Sequence, residues 1–482
     1  MASDLPPPQP LGVRRPDRYR VLLALVLVVG ATLRIIGLDE GLWYDEIGAL
    51  VRYVRIPVTE TIARFDTQNQ HLLYSVLAHG PVSAFGETAW ALRLPAAVFG
   101  VASLWAVWWL GAQIGDRREA LIAAGLLSTS MHHVWFSQNA RGYTMLTFFV
   151  LIGTGLFYRL LSGSASRSRI VGYAVTMALA CWTQVAGAFV AVAHGMTWLW
   201  TMAPKAGRTG RSWWAGMAAL VLAAVLTLLL YAPILGSMFK VLVGPKTTGG
   251  APEWKSLLWF AVEVVQGLGR GLPGGYLTLI GASAVGLTGV VSIARRSAIV
   301  AQLLLLPVLV TAVAVLATSH NLWPRLFFFA SGFAALIAVR GGFAVANRLF
   351  GLRGPMIATA GAVLIMVASA FTVPRAWAPK QDFGAARTWL DQARGPEDQV
   401  VTVDLTRLPY RDFYRTGWTP IDSLPDLLAV ESRAPRTWVL YTFPERLAAV
   451  DSATWAHLQG YRPAISFPGT VAGGEIVIVR RP

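Results

Sequence analysis

The sequence predicts a polytopic α-helical membrane protein that carries a small soluble α/β domain at its C-terminal end. Three observations predict it. Hydrophobic residues fill 55% of the 482 positions, charged residues only 14%, and the mean hydropathy is +0.53 with 19 Trp, far from a soluble profile. Eleven stretches are apolar over lengths approaching the roughly 20 residues that a crossing helix needs. From residue 376 onward the composition turns soluble, with short strand-like runs alternating with helical ones.

In chain order, residues 1–20 form a Pro-rich, basic tail (Pro6-Pro7-Pro8) that reads as disordered and cytoplasmic. The membrane body covers 21–373. Its candidate spans are 21–38, 93–112, 119–137, 143–161, 170–187, 188–203, 213–232, 275–293, 298–318, 325–342 and 354–373. The first span is too long for a cleaved signal peptide, and Gly37-Leu38-Asp39-Glu40 after it offers no small-residue cleavage site. Two shorter apolar stretches, 72–85 and 257–269, fit an interfacial, a re-entrant or a tilted crossing helix. In the soluble domain, 376–482, the segments 399–404, 436–442 and 474–479 read as strands, and Phe383 to Ala393 has helical spacing of apolar residues. The single cysteine, Cys181, lies inside a span, so no intramolecular disulfide forms and the redox compartment stays open.

A formal charge of +16 would suit nucleic acid, but the basic residues follow the positive-inside rule instead. Arg14, Arg15, Arg18 and Arg20 precede the first span. Arg117-Arg118, Arg159 with Arg167 and Arg169, Lys205 with Arg208 and Arg211, Arg295-Arg296, and Arg340 with Arg348 and Arg353 mark every second loop. Eleven crossings then put the N-terminus in the cytoplasm and the C-terminal domain outside a plasma (inner) membrane. The same parity puts loop 39–92 on the outer face and requires 72–85 not to cross, so that helix is expected to lie along the outer boundary.

The candidate chemistry clusters on that outer face. Asp39-Glu40 and Asp45-Glu46 stand just past the first span. The former reads readily as a solvated helix end. Asp45 and Glu46 follow Trp43 and Tyr44, and the pattern Ile47, Leu50, Val51, Val54 sets a helix that opens near Asp45. A carboxylate at a helix N-terminus is held ionised, which suits a general base. His71, within Gln70-His71-Leu72-Leu73-Tyr74, is either structural or a positioning group together with Tyr74. Arg141, in the stretch 135–143 with Asn139 and Tyr143, either snorkels or grips a phosphate. Lys246 and Lys255, and the segment His320-Asn321-Leu322-Trp323-Pro324-Arg325, repeat the basic theme. Basic groups facing an acidic pair are what transfer from a lipid phosphate needs. The cations stabilise the departing phosphate and the carboxylate takes the acceptor's proton.

With these motifs in order, the chain over 20–345 resembles the type C (GT-C) membrane glycosyltransferases, in the branch of the protein O-mannosyltransferases and the lipid A aminoarabinose transferase. The resemblance rests on Leu42-Trp43-Tyr44-Asp45-Glu46, on Asn69-Gln70-His71-Leu72-Leu73-Tyr74 (similar to a His-Pro-Pro-Leu-Tyr pattern), on the run Ala91 to Gly100, on Ser137-Gln138-Asn139-Ala140-Arg141-Gly142-Tyr143 and on Pro324-Arg325-Leu326-Phe327. It implies a fold of about 11–13 transmembrane helices and a polyprenyl-phosphate sugar as donor. It further implies inverting displacement at the anomeric carbon by a hydroxyl of an acceptor protein, lipid or cell-envelope glycan. In that reading Asp45 is the base and Glu46 orients the acceptor or the base. Arg141, Arg325 and Lys246 attend the donor phosphate. His71, Tyr74, Tyr143, Asn139 and His320 position donor or acceptor.

Two departures stand out. Leu72 and Leu73 replace the prolines of the pattern, and Asn139 stands where relatives commonly have Glu in Gln-Glu-Ala-Arg. If that Glu helps bind a metal or the acceptor, this chain does so differently or not at all, so no cofactor is assigned and a divalent cation stays open. The rival class is a lipid-linked-sugar transporter or flippase. Such proteins show mid-span charges and repeated halves, whereas here the ionisable residues gather at one boundary.

Overall fold

The structure, a computed structural model, describes residues 17–67, 70–163, 165–201, 211–243, 256–318, 321–434 and 436–482. Nearly all of the expected tail therefore lies outside the described residues, as do Asn69, Lys205, Arg208, Lys246, Lys255 and His320.

Helix α1 (Arg18–Ile35) starts where the Asp17 carboxylate accepts the Tyr19 N–H. After a turn come the short α2 (Tyr44–Ala49), a π-helical segment over Leu50–Val54, and α3 (Val58–Thr61). Next are α4 (Leu72–Phe85) and α5 (Ala89–Ile114), the latter capped by Thr88. At about 1.5 Å per residue α4 is some 20 Å long, shorter than the hydrocarbon layer. It lies against α5, burying Leu72, Leu73, Tyr74 and Ala78.

The expected span 119–137 is two helices, α6 (Arg117–Ser128) and α7 (Met131–Ser137). The break has a tertiary cause. The fully buried Arg34 of α1 donates to the carbonyls of Leu127 and Ser128, taking up the C-terminal groups of α6, and the Ser130 side chain caps α7. Arg34 also reaches Ser137 Oγ at 3.0 Å and His133 Nδ1 at 2.7 Å, which fixes α7 beneath α1.

The bundle continues with α8 (Tyr143–Leu161), α9 (Arg167–Thr183), α10 (Ala186–Trp200), α11 (Arg211–Tyr231), α12 (Leu235–Val243) and α13 (Leu257–Gly271). Then follow α14 (Gly275–Arg296), α15 (Ala298–Ala317), a 3-10 segment over Pro324–Ala330, α16 (Ser331–Phe350), α17 (Gly354–Ala370) and α18 (Pro374–Trp377). Among the described residues six segments are long and apolar enough to cross a membrane by length and composition, one of them the 54-residue run Pro324–Trp377. The protein is a membrane protein. Helices α8 and α5 form the buried centre, with α6, α9 and α4 around them. Helices α14 and α16 approach backbone to backbone. A Cβ on Gly289 would overlap the Ile337 carbonyl oxygen, and one on Gly341 would overlap that of Val285, the close contact that small residues permit between apolar helices.

The soluble domain holds α19 (Phe383–Ala393), β1 (Gln399–Val403), β2 (Thr419–Ile421), α20 (Leu424–Glu431), β3 (Thr437–Tyr441), α21 (Pro444–Val450), α22 (Ser452–Leu458), β4 (Arg462–Phe467) and β5 (Ile476–Arg480). Its single sheet has the order β2-β1-β3-β5-β4, parallel through the first three strands and antiparallel beyond. Both faces of the parallel strands are covered, which is why they read as unbroken apolar runs. Val401, Val403, Val439 and Ile421 pack with Leu427, Leu447 and Leu458 on one side, while Val400, Trp438 and Leu440 join Phe383, Ala386 and Leu390 on the other.

Candidate active site

The acidic pair on α2 divides by environment. Asp45 retains a tenth of its side-chain surface, and its Oδ2 accepts a hydrogen bond from Arg325 Nη1 at 3.1 Å. Arg325 is placed by Pro324, which opens the 3-10 segment, by the Trp323 ring 5.3 Å from its guanidinium, and by the buried Phe328 and Phe329 that anchor the segment below. Only Nη1 bonds the carboxylate, so the pair is a single hydrogen bond rather than a fork.

Glu46 is fully buried, and both of its oxygens are taken. Arg93 donates to it through Nε at 2.7 Å and Nη2 at 2.5 Å, Ala140 N–H at 2.7 Å and Trp43 N–H at 3.3 Å. Arg93 also donates to the carbonyls of Leu38, Glu40 and Gly41. Burial alone would push the Glu46 carboxyl up, but the Arg93 guanidinium, the Lys380 ammonium and these hydrogen bonds hold it below its ordinary value. Of the two roles expected for Glu46, orienting the acceptor or orienting the base, only the second is compatible with these contacts. Glu46 clasps α2, the α1–α2 turn and the 138–142 loop onto α5, and presents no open oxygen.

That loop brings the next group together. Asn139 Oδ1 accepts from the Trp43 indole N–H at 3.3 Å, and Gly142 N–H donates to His71 Nδ1 at 2.8 Å. The His71 ring meets Tyr143 edge-on with centroids 5.2 Å apart. Burial first, and the Arg141 and Arg325 charges next, hold the His71 imidazole well below its usual range, so it is neutral and accepts. His71 thus feels both guanidinium groups, and Arg325 feels the Tyr143 hydroxyl. Asp45, Arg325, Arg141, His71 and Tyr143 converge at one end of the bundle although they come from loops up to 280 residues apart.

The Tyr74 hydroxyl, expected to position donor or acceptor, is engaged within the protein. The side chain is buried, and the hydroxyl donates to the Leu92 carbonyl at 2.7 Å, tying α4 to α5. Lys246 and His320 lie outside the described residues. Among the described residues no group of three His, Cys, Asp or Glu side chains is placed to hold a metal ion. Asp45 accepts from Arg325 through Oδ2, and Asn139 Oδ1 accepts the Trp43 indole N–H.

Four contributors escaped the sequence reading. Arg93 lay inside the Ala91–Gly100 motif without being singled out, and Arg34 lay inside the first candidate span, 21–38. Lys380 and Gln381 come from the boundary of the soluble domain. Lys380 Nζ donates to the Gln138 carbonyl at 2.7 Å, and Gln381 Oε1 accepts the Tyr44 N–H at 3.1 Å. The soluble domain is therefore hydrogen-bonded to the first turn of the helix that carries Asp45.

The arrangement belongs to a known architecture. The structure is similar to that of the Archaeoglobus fulgidus oligosaccharyltransferase, solved with Zn and sulfate, with a TM-score of 0.56 at 14% identity over 94% of this chain and 72% of that one. It is similar to ArnT from Cupriavidus metallidurans in the apo state, with a TM-score of 0.54 at 12% identity over 96% and 98% of the two chains. With the same ArnT bound to undecaprenyl phosphate the TM-score is 0.52 at 13% identity, over 96% and 97%. No family model matches the sequence, and no curated protein matches it. The chain has the type C glycosyltransferase fold, shared at the level of architecture rather than of sequence.

Proposed function

We propose that this protein is an inverting glycosyltransferase that moves a sugar from a polyprenyl-phosphate donor to an acceptor hydroxyl on the outer face of a plasma (inner) membrane. The observation that carries this reading is the Asp45–Arg325 pair, an accessible carboxylate at a helix N-terminus beside a guanidinium, with Arg141 and a neutral His71 adjoining. The ArnT structure with undecaprenyl phosphate supports the lipid donor, and the shared fold supports sugar transfer.

In this mechanism the acceptor oxygen attacks the anomeric carbon while Asp45 takes its proton. The bond between that carbon and the phosphate oxygen breaks, and the electron pair leaves with the lipid phosphate. Arg325 and Arg141 stabilise the charge gathering there. Glu46 acts through position, fixing α2 against Arg93.

The test is donor class. Purified protein is given a polyprenyl-phosphate sugar and, separately, the matching nucleotide sugar. Turnover with the lipid donor only is expected. Arg325→Ala and Arg141→Ala should each lower its use by one to two orders of magnitude, since a charge-assisted hydrogen bond contributes about 1.5–3 kcal/mol. Lys should rescue partly, as it cannot form the fork. Turnover with the nucleotide sugar alone would overturn the lipid-donor mechanism, and lipid movement across vesicles without transfer would mark a flippase.

A further inference from the structure

The soluble domain has no role in the scheme above, yet its sheet presents a defined place to bind something. Strand β1 is followed by a connection to β2 on one side, and β2 by a connection to β3 on the other, so the order β2-β1-β3 makes the gap between β1 and β3 a topological switch point. In open α/β sheets, ligands bind outside the carboxyl ends of the strands at such a point. The two residues near those ends are Asp404, directly after β1, and Phe443, two residues after β3. Both adopt left-handed backbone, with φ of 49° and 50°, a conformation that residues other than glycine hold at a cost.

The Asp404 carboxylate is gripped by Arg446, from Nε at 3.0 Å and Nη2 at 3.3 Å. Neither side chain is sealed, with 14% of Asp404 and 27% of Arg446 exposed. This end of the sheet is directed at α2. Gln381, which accepts the Tyr44 N–H, is itself held by Thr442 Oγ1 and the Gly474 carbonyl, both at 3.0 Å, at the end of β3. The segment Pro409–Phe413 packs on α2, and Arg55 of the outer loop donates to the Asp412 carbonyl. The Tyr44 hydroxyl lies within electrostatic reach of Arg52 and Asp45 from the membrane body and of Arg446 and Asp404 from the soluble domain. Tyr44 precedes the proposed base in the chain.

We infer that Asp404, Arg446 and Tyr44 form the acceptor subsite and that the acceptor is a carbohydrate, recognised through neighbouring hydroxyls. The inference rests on the transfer reading and deepens it. A paired carboxylate and guanidinium carry no net charge to select an ion, but they offer acceptor and donor atoms side by side, which matches vicinal hydroxyls that both donate and accept. Tyr44 adds a half-buried aromatic ring and a hydroxyl. A hydroxyl of a sugar held there is delivered beside Asp45, and the soluble domain becomes one wall of the active site.

The experiment uses full-length protein in detergent, with methyl pentofuranosides and methyl hexopyranosides as acceptor probes and a Ser/Thr-containing peptide as the competing class. Asp404→Asn suits the site because Asn tolerates the left-handed backbone, and Arg446→Gln is its partner variant. Thermal unfolding verifies that both fold. Each variant should raise the KM for the preferred glycoside about 10–100-fold, the loss of a charged hydrogen bond, with kcat changed much less. In the absence of donor, saturation-transfer NMR should show the glycoside bound to wild-type protein and lost in both variants. Unchanged KM and unchanged glycoside binding in folded variants would overturn the subsite, as would a peptide that is the better acceptor. Donor hydrolysis by wild-type protein without acceptor tests the transfer reading separately. If it fails while glycoside binding still depends on Asp404 and Arg446, the subsite stands and the donor chemistry is what is wrong.

Discussion

Replacing Glu46 separates a positioning role from a catalytic one. In Glu46→Gln the side chain keeps its shape but offers one oxygen where the carboxylate offered two. It also turns an NH2 group toward a site surrounded by donors, namely Arg93 Nε and Nη2 and the N–H groups of Ala140 and Trp43. The Arg93 guanidinium, 1% exposed, is left as a buried charge without a counter-ion. Removing one partner of a buried pair costs about 3–5 kcal/mol. Gln retains part of the hydrogen bonding, so a loss near the lower end is expected. Thermal unfolding of detergent-purified protein reads it, beside turnover normalised to folded protein. The decisive comparison is the double variant Glu46→Leu/Arg93→Met. Exchanging the whole pair for apolar residues removes the uncompensated charge but leaves the Ala140 and Trp43 N–H groups and the carbonyls of Leu38, Glu40 and Gly41 without these partners, so the double variant should recover part of the lost stability and of the activity. A Glu46→Gln protein as stable as wild type but about 100-fold slower, with no recovery in the double variant, would refute the clasp and return Glu46 to direct contact with substrate.

Asp45→Asn should behave oppositely, with turnover falling by about 10²–10⁴-fold and thermal stability hardly moved, because a partly exposed ion pair contributes about 0–1 kcal/mol; near-normal turnover would move the base elsewhere. Burial first, and the Arg93 charge next, hold the Lys380 amine down at about 7 against the opposing pull of Glu46 and Glu40. Between that pH and the unfolded lysine value the unfolded chain binds the extra proton, so stability should rise with pH above 7 by up to about 1.4 kcal/mol per pH unit. Unfolding measured from pH 6 to 9 should show the rise in wild type and a flatter curve in Lys380→Met; equal slopes would refute the assignment. Reporter fusions after residues 60 and 400 should read outside, and those after 115, 165 and 210 inside, with a cytoplasmic signal at 60 or 400 refuting the sidedness.

Much of the bundle was legible because hydropathy depends on composition, and a helix covers most of each of the eleven apolar stretches. The exception, 119–137, is instructive. Nothing in its own residues marks the break strongly, since the agent is Arg34 from α1 about a hundred positions earlier, taking the carbonyls that would otherwise continue the helix. The strands of the soluble domain at 399–403, 437–441 and 476–480 were legible through their apolar runs. The three-residue β2 and the exposed β4 were not, since neither carries an unbroken apolar signal. Motif order singled out Asp45, Arg141 and Arg325, which the structure brings to one end of the bundle. Which guanidinium serves which carboxylate was beyond reach, because Arg325 meets Asp45 across 280 positions and Arg93 meets Glu46 across 47.

The dipeptide Asp45-Glu46 shows why the remainder was hidden. Two adjacent acids on one short helix are chemically alike in sequence, and period alone cannot assign them. The helical turn of about 100° per residue sends Glu46 inward with Ile47 and Leu50, onto α5, where Arg93 waits, and leaves Asp45 at the rim beside Arg325. Burial then decides the chemistry. A carboxylate sealed among four donors is held ionised and has no lone pair to spare for a substrate proton, whereas one at the rim with a single, displaceable partner does. The inner acid fixes the helix, the outer acid is thereby fixed in place, and the soluble domain, bonded to the same turn through Gln381, is set against it. Three parts of the chain far apart in sequence share one six-residue helix as their reference, so an error in its placement would reach the proposed base and the proposed acceptor wall together.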